Sequence, residues 1–179
     1  IKHTLRDHKR IVFNGDGYSA EWPEEAARRG LANHMTTADA LPCFVEEKSF
    51  ALFEEFGVLS RPEVQSRYEV KLEKYNKIMN IEIRTMKRLV RRDYLPAINT
   101  FAADVARHIT EVKAALPDAD LHNQENRLRQ LLDGLNEINI HLEKLHELHY
   151  ASLAIADQQE RANMNAHRII PVMEDLRQA

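Results

Sequence analysis

"LHNQENRLRQLLDGLNEINIHLEKLHELHYASLAIA", residues 121–156, decides the fold. Leu121, Leu128, Leu131, Leu135, Ile138, Leu142 and Leu145 hold a seven-residue repeat, which continues through His149, Ser152 and Ala156. Such a repeat lays one apolar stripe along a helix, and the stripe needs a helical partner. The register predicts one helix from Leu121 to about Asn163, roughly 65 Å long at the helical rise. Ordinary globular helices are far shorter. The fold class that follows is mainly α, with long antiparallel helices of bundle or coiled-coil-like type.

Upstream of that stretch the same pattern holds. Ser60-Arg61-Pro62-Glu63 is a capping box, in which the Ser60 hydroxyl can accept from the Glu63 amide while Glu63 reaches back. Leu59 and Val64 stand at the two positions of a hydrophobic staple. Leu72, Tyr75, Met79, Ile83, Met86 and Val90 then recur at helical steps. Pro96 removes one helical hydrogen bond and predicts a kink. Ala97, Phe101, Val105 and Val112 carry the pattern on to Pro117-Asp118. Downstream, Pro171 bends or restarts a last helix through Leu176.

The first part of the chain is of another kind. Four of the five glycines lie at or before Gly57. That shift places a boundary near Gly57–Ser60: residues 1–57 form a small mixed segment and residues 58–179 the long-helix bundle. Ile11, Val12 and Phe13 suit a brief strand before a turn at Asn14-Gly15. Pro23 starts a helix through Arg29, with Gly30 as its C-terminal cap. Thr36 or Thr37 caps a short turn before Pro42. Residues 43–57, "CFVEEKSFALFEEFG", read as a helix with a large apolar face of Phe44, Phe50, Leu52, Phe53 and Phe56, stopped by Gly57.

Composition excludes several classes. The chain has 179 residues, 44% hydrophobic and 30% charged, with a net charge of −3. It is neither disordered nor membrane-spanning in character, and it has no general drive toward nucleic acid or an anionic membrane. "IKHTLRDHKR" has no apolar core of a signal peptide. The one cysteine, Cys43, leaves no internal disulfide and fits a reducing cytoplasm. The chain starts at Ile1 rather than methionine and stops at Ala179 inside a helical pattern, which predicts a segment of a longer protein.

Each chemical motif has a plain competitor. Asn14-Gly15-Asp16-Gly17 lacks the spacing and the Lys-Ser/Thr of a phosphate loop and reads as a turn in left-handed conformations. Glu143 and His146 match the Glu-x-x-His spacing of carboxylate-bridged metal bundles, with His141 and His149 close by. A second such motif is missing, since Glu111 has Ala114 at the third position, so these read as surface and seam-edge histidines. Arg84, Lys87, Arg88, Arg91 and Arg92 share a helical face; with Tyr94 it could touch nucleic acid. It reads better as a solvated face, a seam ion-paired to Glu137, Glu143 and Glu147, or a subunit interface. Cys43 has no histidine placed by local spacing and Ser19 no nucleophile elbow, so nucleophilic catalysis has no support. No residue takes a catalytic, cofactor-binding or metal-binding role.

Residues 10–92 also resemble a known family. "RIVFNGDGYSAEWPEEAARRGLANHMTTADALP" followed by "FVEEKSFALFEEFGVLSRPEVQSRYEVKLEKYNKIMNIEIRTM" is similar to the C-terminal part of the type III glutamine synthetases. "RRDYLPAINTFAADVA" and "IIPVMEDLRQA" resemble the helical extension that sets this type apart. The resemblance implies a parent enzyme that ligates ammonia to glutamate through a γ-glutamyl phosphate, using ATP and Mg or Mn. It places the ATP and metal motifs upstream, outside this chain. The fragment is then structural or oligomerising and inactive alone. Its partners are the rest of its catalytic domain and neighbouring subunits of a cytoplasmic homo-oligomer, with no nucleic acid and no membrane. The alternative is an independent helical interaction or assembly module without ligase activity.

Overall fold

The Ser60 cap starts the longest element of the computed structural model, which describes residues 2–179 and leaves Ile1 outside them. The Glu63 carboxylate accepts from the Ser60 amide at 2.8 Å and from its hydroxyl at 2.7 Å. Val64, at the staple position, is fully buried. Helix α5 spans Arg61–Leu89 and passes through a π turn, Val90–Tyr94, into α6, Leu95–Ala115, for 55 residues without a break. The π turn stands where Pro96 predicts a kink. Proline has no amide for the Arg92 carbonyl and its ring would strike that carbonyl in a regular helix. The Leu95 amide bonds instead to the Val90 carbonyl, five residues back, which widens the turn.

The return path is α7, His122–Ala154, followed by α8, Gln158–Met164. A second π turn, Asn165–Ile169, leads into α9, Ile170–Gln178. Pro171 follows this π turn at the same offset as Pro96 follows the first. The predicted helix to about Asn163 is therefore corrected: Ile155 is extended, and the Asp157 side chain accepts from the Glu160 amide at 2.7 Å to cap a new helix. The Asp157 cap pairs one of the amides that a new helix start leaves free, which lowers the cost of the break. Of the seam, Leu135, Leu142, Leu145, His149 and Ser152 are buried, whereas Ala156 is exposed.

The first part holds α1 (Lys2–Asp7), a 3-10 turn (Lys9–Ile11), α2 (Glu21–Arg28), α3 (Thr37–Ala40), a second 3-10 turn (Leu41–Val45) and α4 (Glu47–Glu55). The expected strand at Ile11–Phe13 is absent, and no strand occurs among the described residues. Val12 is extended, but its carbonyl and that of Arg10 are taken by the Arg29 guanidinium at 2.7 and 3.1 Å rather than by a ladder. Helix α2 begins two residues before Pro23, which sits in the first turn where its missing amide costs nothing. The helix expected over 43–57 is split, because Glu46 is extended between the 3-10 turn and α4. Gly30 and Gly57 end α2 and α4 with φ of 68° and 61°, the left-handed conformation of a C-terminal cap.

Two buried clusters hold these parts together. Met79, Ile83 and Val90 of the α5 side meet Leu142 and Leu145 of α7 and Ile169, Val172, Met173 and Leu176 near the C-terminus. Ala38 and Leu41 meet Leu72 of α5 and Ala162 and Ala166 of the α8 side. Tyr75 packs against both clusters. The first segment is thus anchored to the bundle through α3 and the turn after it.

Candidate functional site

The Asn14–Ser19 turn is built differently from its sequence reading. Gly15 and Gly17 do not have positive φ. The Asp16 carboxylate accepts from the Tyr18 amide at 2.9 Å, and the Asp16 carbonyl accepts from the Ser19 hydroxyl at 2.7 Å. A Cβ on Gly15 would lie 2.5 Å from the Phe13 ring, which itself stacks on Trp22 at 4.7 Å. The glycine is there for close approach, and the aspartate makes the turn. Its tip presents a fully exposed Tyr18. Beside it a cavity of about 610 Å³ is lined by Lys9, Arg10, Arg28 and Arg29 among others. Two of these cations, Arg28 and Arg29, are already paired with Glu25.

A more enclosed polar constellation lies where α5, α7 and α8 meet. Asn76, His149, Ser152 and Asn165 are each about nine-tenths buried or more, at 5%, 5%, 3% and 2% exposed. Asn165 Nδ2 donates to Asn76 Oδ1 at 3.0 Å, and the Ser152 hydroxyl donates to Asn165 Oδ1 at 2.8 Å. Asn76 Nδ2 donates to the Gln158 carbonyl and side-chain oxygen, both at 2.9 Å. Next along the seam, His149 Nε2 is 2.8 Å from Asn80 Oδ1 and its Nδ1 is 3.2 Å from Lys87 Nζ. Burial pushes both His149 and Lys87 toward their neutral forms, helped by surrounding cations. A polar network this fully bonded fixes register rather than supplying reactive groups.

His149 is a seam residue, while Nδ1 of His141 and of His146 is buried without a partner. Glu143 turns to Arg91 at 3.6 Å. Among the described residues no three His, Cys, Asp or Glu side chains group as a metal-ligand set. The basic face divides. Arg91 reaches Glu143, but Lys87 faces inward over the Tyr150 ring at 5.3 Å, and Glu137 and Glu147 make no ion pair among the described residues. One pairing went unseen by spacing: His34 Nε2 lies 3.3 Å from Cys43 Sγ, nine residues away. The bend between α2 and α3 brings them together, and no local period reveals it.

Comparison with known proteins decides the family. A family model described as the glutamine synthetase C-terminal domain matches residues 1–113. The chain belongs to this family. The glutamine synthetase of Butyrivibrio fibrisolvens is 34% identical over 178 residues, 99% of this chain and 25% of that protein. The type-3 glutamine synthetase of Dictyostelium discoideum is 33% identical over 181 residues, again 99% of this chain and 25% of that protein. The glutamine synthetase of Bacteroides fragilis (strain YCH46) is 24% identical over 181 residues. The chain thus spans about a quarter of the length of these glutamine synthetases. The family match ends within α6, while the similarity to the named relatives runs on through α7 to α9. No described helix of this glutamine synthetase C-terminal domain is long and apolar enough to cross a membrane.

Proposed function

We propose that the chain is the C-terminal part of a glutamate–ammonia ligase, and that its own task is to brace and assemble that enzyme rather than to catalyse. The parent reaction is the ATP-dependent ligation of ammonia to glutamate through γ-glutamyl phosphate. Residues outside 1–179 would hold the ATP and the Mg or Mn. Residues 1–57 form the edge of the catalytic domain, and residues 58–179 form a bundle that carries contacts to neighbouring subunits.

The observation that carries this reading is the unequal core of the two parts. Among the described residues through Val58, the buried hydrophobics are only Ala26, Ala38, Leu41 and Phe50, while Leu5, Ile11, Val12, Tyr18, Met35, Leu52, Phe56 and Val58 stay exposed. A segment so poor in core and so rich in open apolar surface is suited to packing against further structure. The bundle supplies a core of its own and grips this segment through Ala38 and Leu41.

Removal of residues 58–179 from the parent polypeptide tests it. Light scattering should show smaller assemblies and the ligase should lose activity through lost assembly, with its glutamate KM affected less than its kcat. Unchanged assembly and unchanged activity would overturn the bracing role.

A further inference from the structure

We propose that His149 is the trigger of an acid-sensed latch: protonation of its ring opens the polar seam that ties α8 to α5 and α7. Both ring nitrogens are committed. As an ammonium Lys87 only donates, so Nδ1, at 3.2 Å from its Nζ, accepts. Asn80 Oδ1, at 2.8 Å, accepts, so Nε2 carries the hydrogen. The bonded ring is therefore neutral. A second proton can go only onto Nδ1, which faces the ammonium. Two cations at that distance repel strongly beside a ring that is itself almost wholly buried.

Among the described residues no carboxylate pairs with the ring, and Glu143, which bears on Lys87, is shared with Arg91. Arg84 and Lys87 of α5 and His146 of α7 are the charged or titratable groups that bear on the ring. Glu143 of α7 is held by Arg91 at 3.6 Å, and Glu73 of α5 by Lys77 at 2.6 Å. Tyr150 lies beside the ring at 5.9 Å. From the α8 side, Arg161 donates to the carbonyls of Ile155 and Leu153. Burial first, and then these cations, hold His149 below its ordinary 6.5, on the acid side of neutrality.

A proton has a route to the ring and its effect has a path outward. His149, Asn80, Asn76, Ser152 and Asn165 line one open cleft of about 150 Å³. Ser152, one turn beyond His149, bonds to Asn165 at 2.8 Å, the first residue of the second π turn. Gln159 of α8 holds the Ala38 carbonyl at 2.9 Å. Opening the seam therefore loosens the grip on residues 36–41. A consequence for ligase activity rests on the function proposed above, whereas the latch itself does not. The neighbouring His167–Asp39 pair, at 2.9 Å, works the other way, since a protonated His167 strengthens it.

The test is hydrogen exchange of residues 157–170 in the 179-residue chain between pH 7.5 and 5, corrected for intrinsic exchange, with an NMR titration of the His149 ring. Wild type should open up to about tenfold more per pH unit through the window below 6.5. His149→Gln, whose amide can accept from Lys87 and donate to Asn80 without titrating, should lose that rise while keeping His167. Lys87→Met should move the ring's titration to higher pH. An unchanged acid rise in His149→Gln, or a wild-type ring that titrates at or above 6.5, overturns the proposal. Should His149→Gln not fold, the ring titrations of wild type and Lys87→Met decide it alone.

Discussion

Asn165 Nδ2 donates to Asn76 Oδ1 at 3.0 Å although 89 residues separate them and both side chains lie almost wholly out of solvent. The bond fixes the π turn of Asn165–Ile169 against the middle of α5. Asn165→Ala should leave Asn76 Oδ1 and the Ser152 hydroxyl without partners. Each buried group so orphaned costs about 1–3 kcal/mol, so a loss of about 2–6 kcal/mol is expected in urea unfolding. A loss below about 1 kcal/mol would mean that water replaces the bond.

Gly134 and Gly57 should respond to alanine with opposite signs. Gly134 lies inside α7 without positive φ and with open space around a new Cβ, so Gly134→Ala should stabilise by about 0.5–1 kcal/mol. Gly57 also has open space, but its φ is 61°, so Gly57→Ala should destabilise by about 1–2 kcal/mol. Thermal or urea melts of the two variants check the pair.

Leu145 is fully buried between α5, α7 and the C-terminal helix, whereas Ile140 on the same helix is 67% exposed. Leu145→Ala should cost about 2–5 kcal/mol, a lost side chain plus a cavity. Ile140→Ala should stay within about 0.5 kcal/mol of wild type. Equal effects would contradict the seam assignment.

The cap at Ser60 gives a pH signature. The Ser60 amide, and then its hydroxyl, hold Glu63 below its ordinary 4.5. An unfolded chain then binds more protons than the folded one in acid. The stability from this carboxylate is present above 4.5 and is lost as pH falls through its lowered folded value. Glu63→Gln should flatten that part of the acid limb of the stability curve. An identical acid limb in wild type and variant would show that the carboxylate contributes nothing there.

The helices were legible because the signals were local. Ser60 and Glu63 wrote one start, Gly30 and Gly57 wrote two stops, and the leucine repeat from Leu121 to Leu145 wrote the seam. What stayed hidden depends on groups that meet only after folding. The break at Ile155 turns on the competition between Asp157 as a cap and an apolar register that runs past it. Lys87 belongs to a basic face by sequence but turns inward because His149 waits on another helix. The Cys43–His34 contact needs the bend between α2 and α3. The absent strand at Ile11–Phe13 shows the same limit, since an apolar run becomes a strand only where a second strand lies beside it.

The most direct test of the central claim is glutamine formation from glutamate, ammonia, ATP and magnesium, run side by side on the intact polypeptide that carries this chain and on residues 1–179 alone. The intact protein should form product and the isolated chain none. No product from a properly folded intact protein, or product from residues 1–179 by themselves, would contradict it.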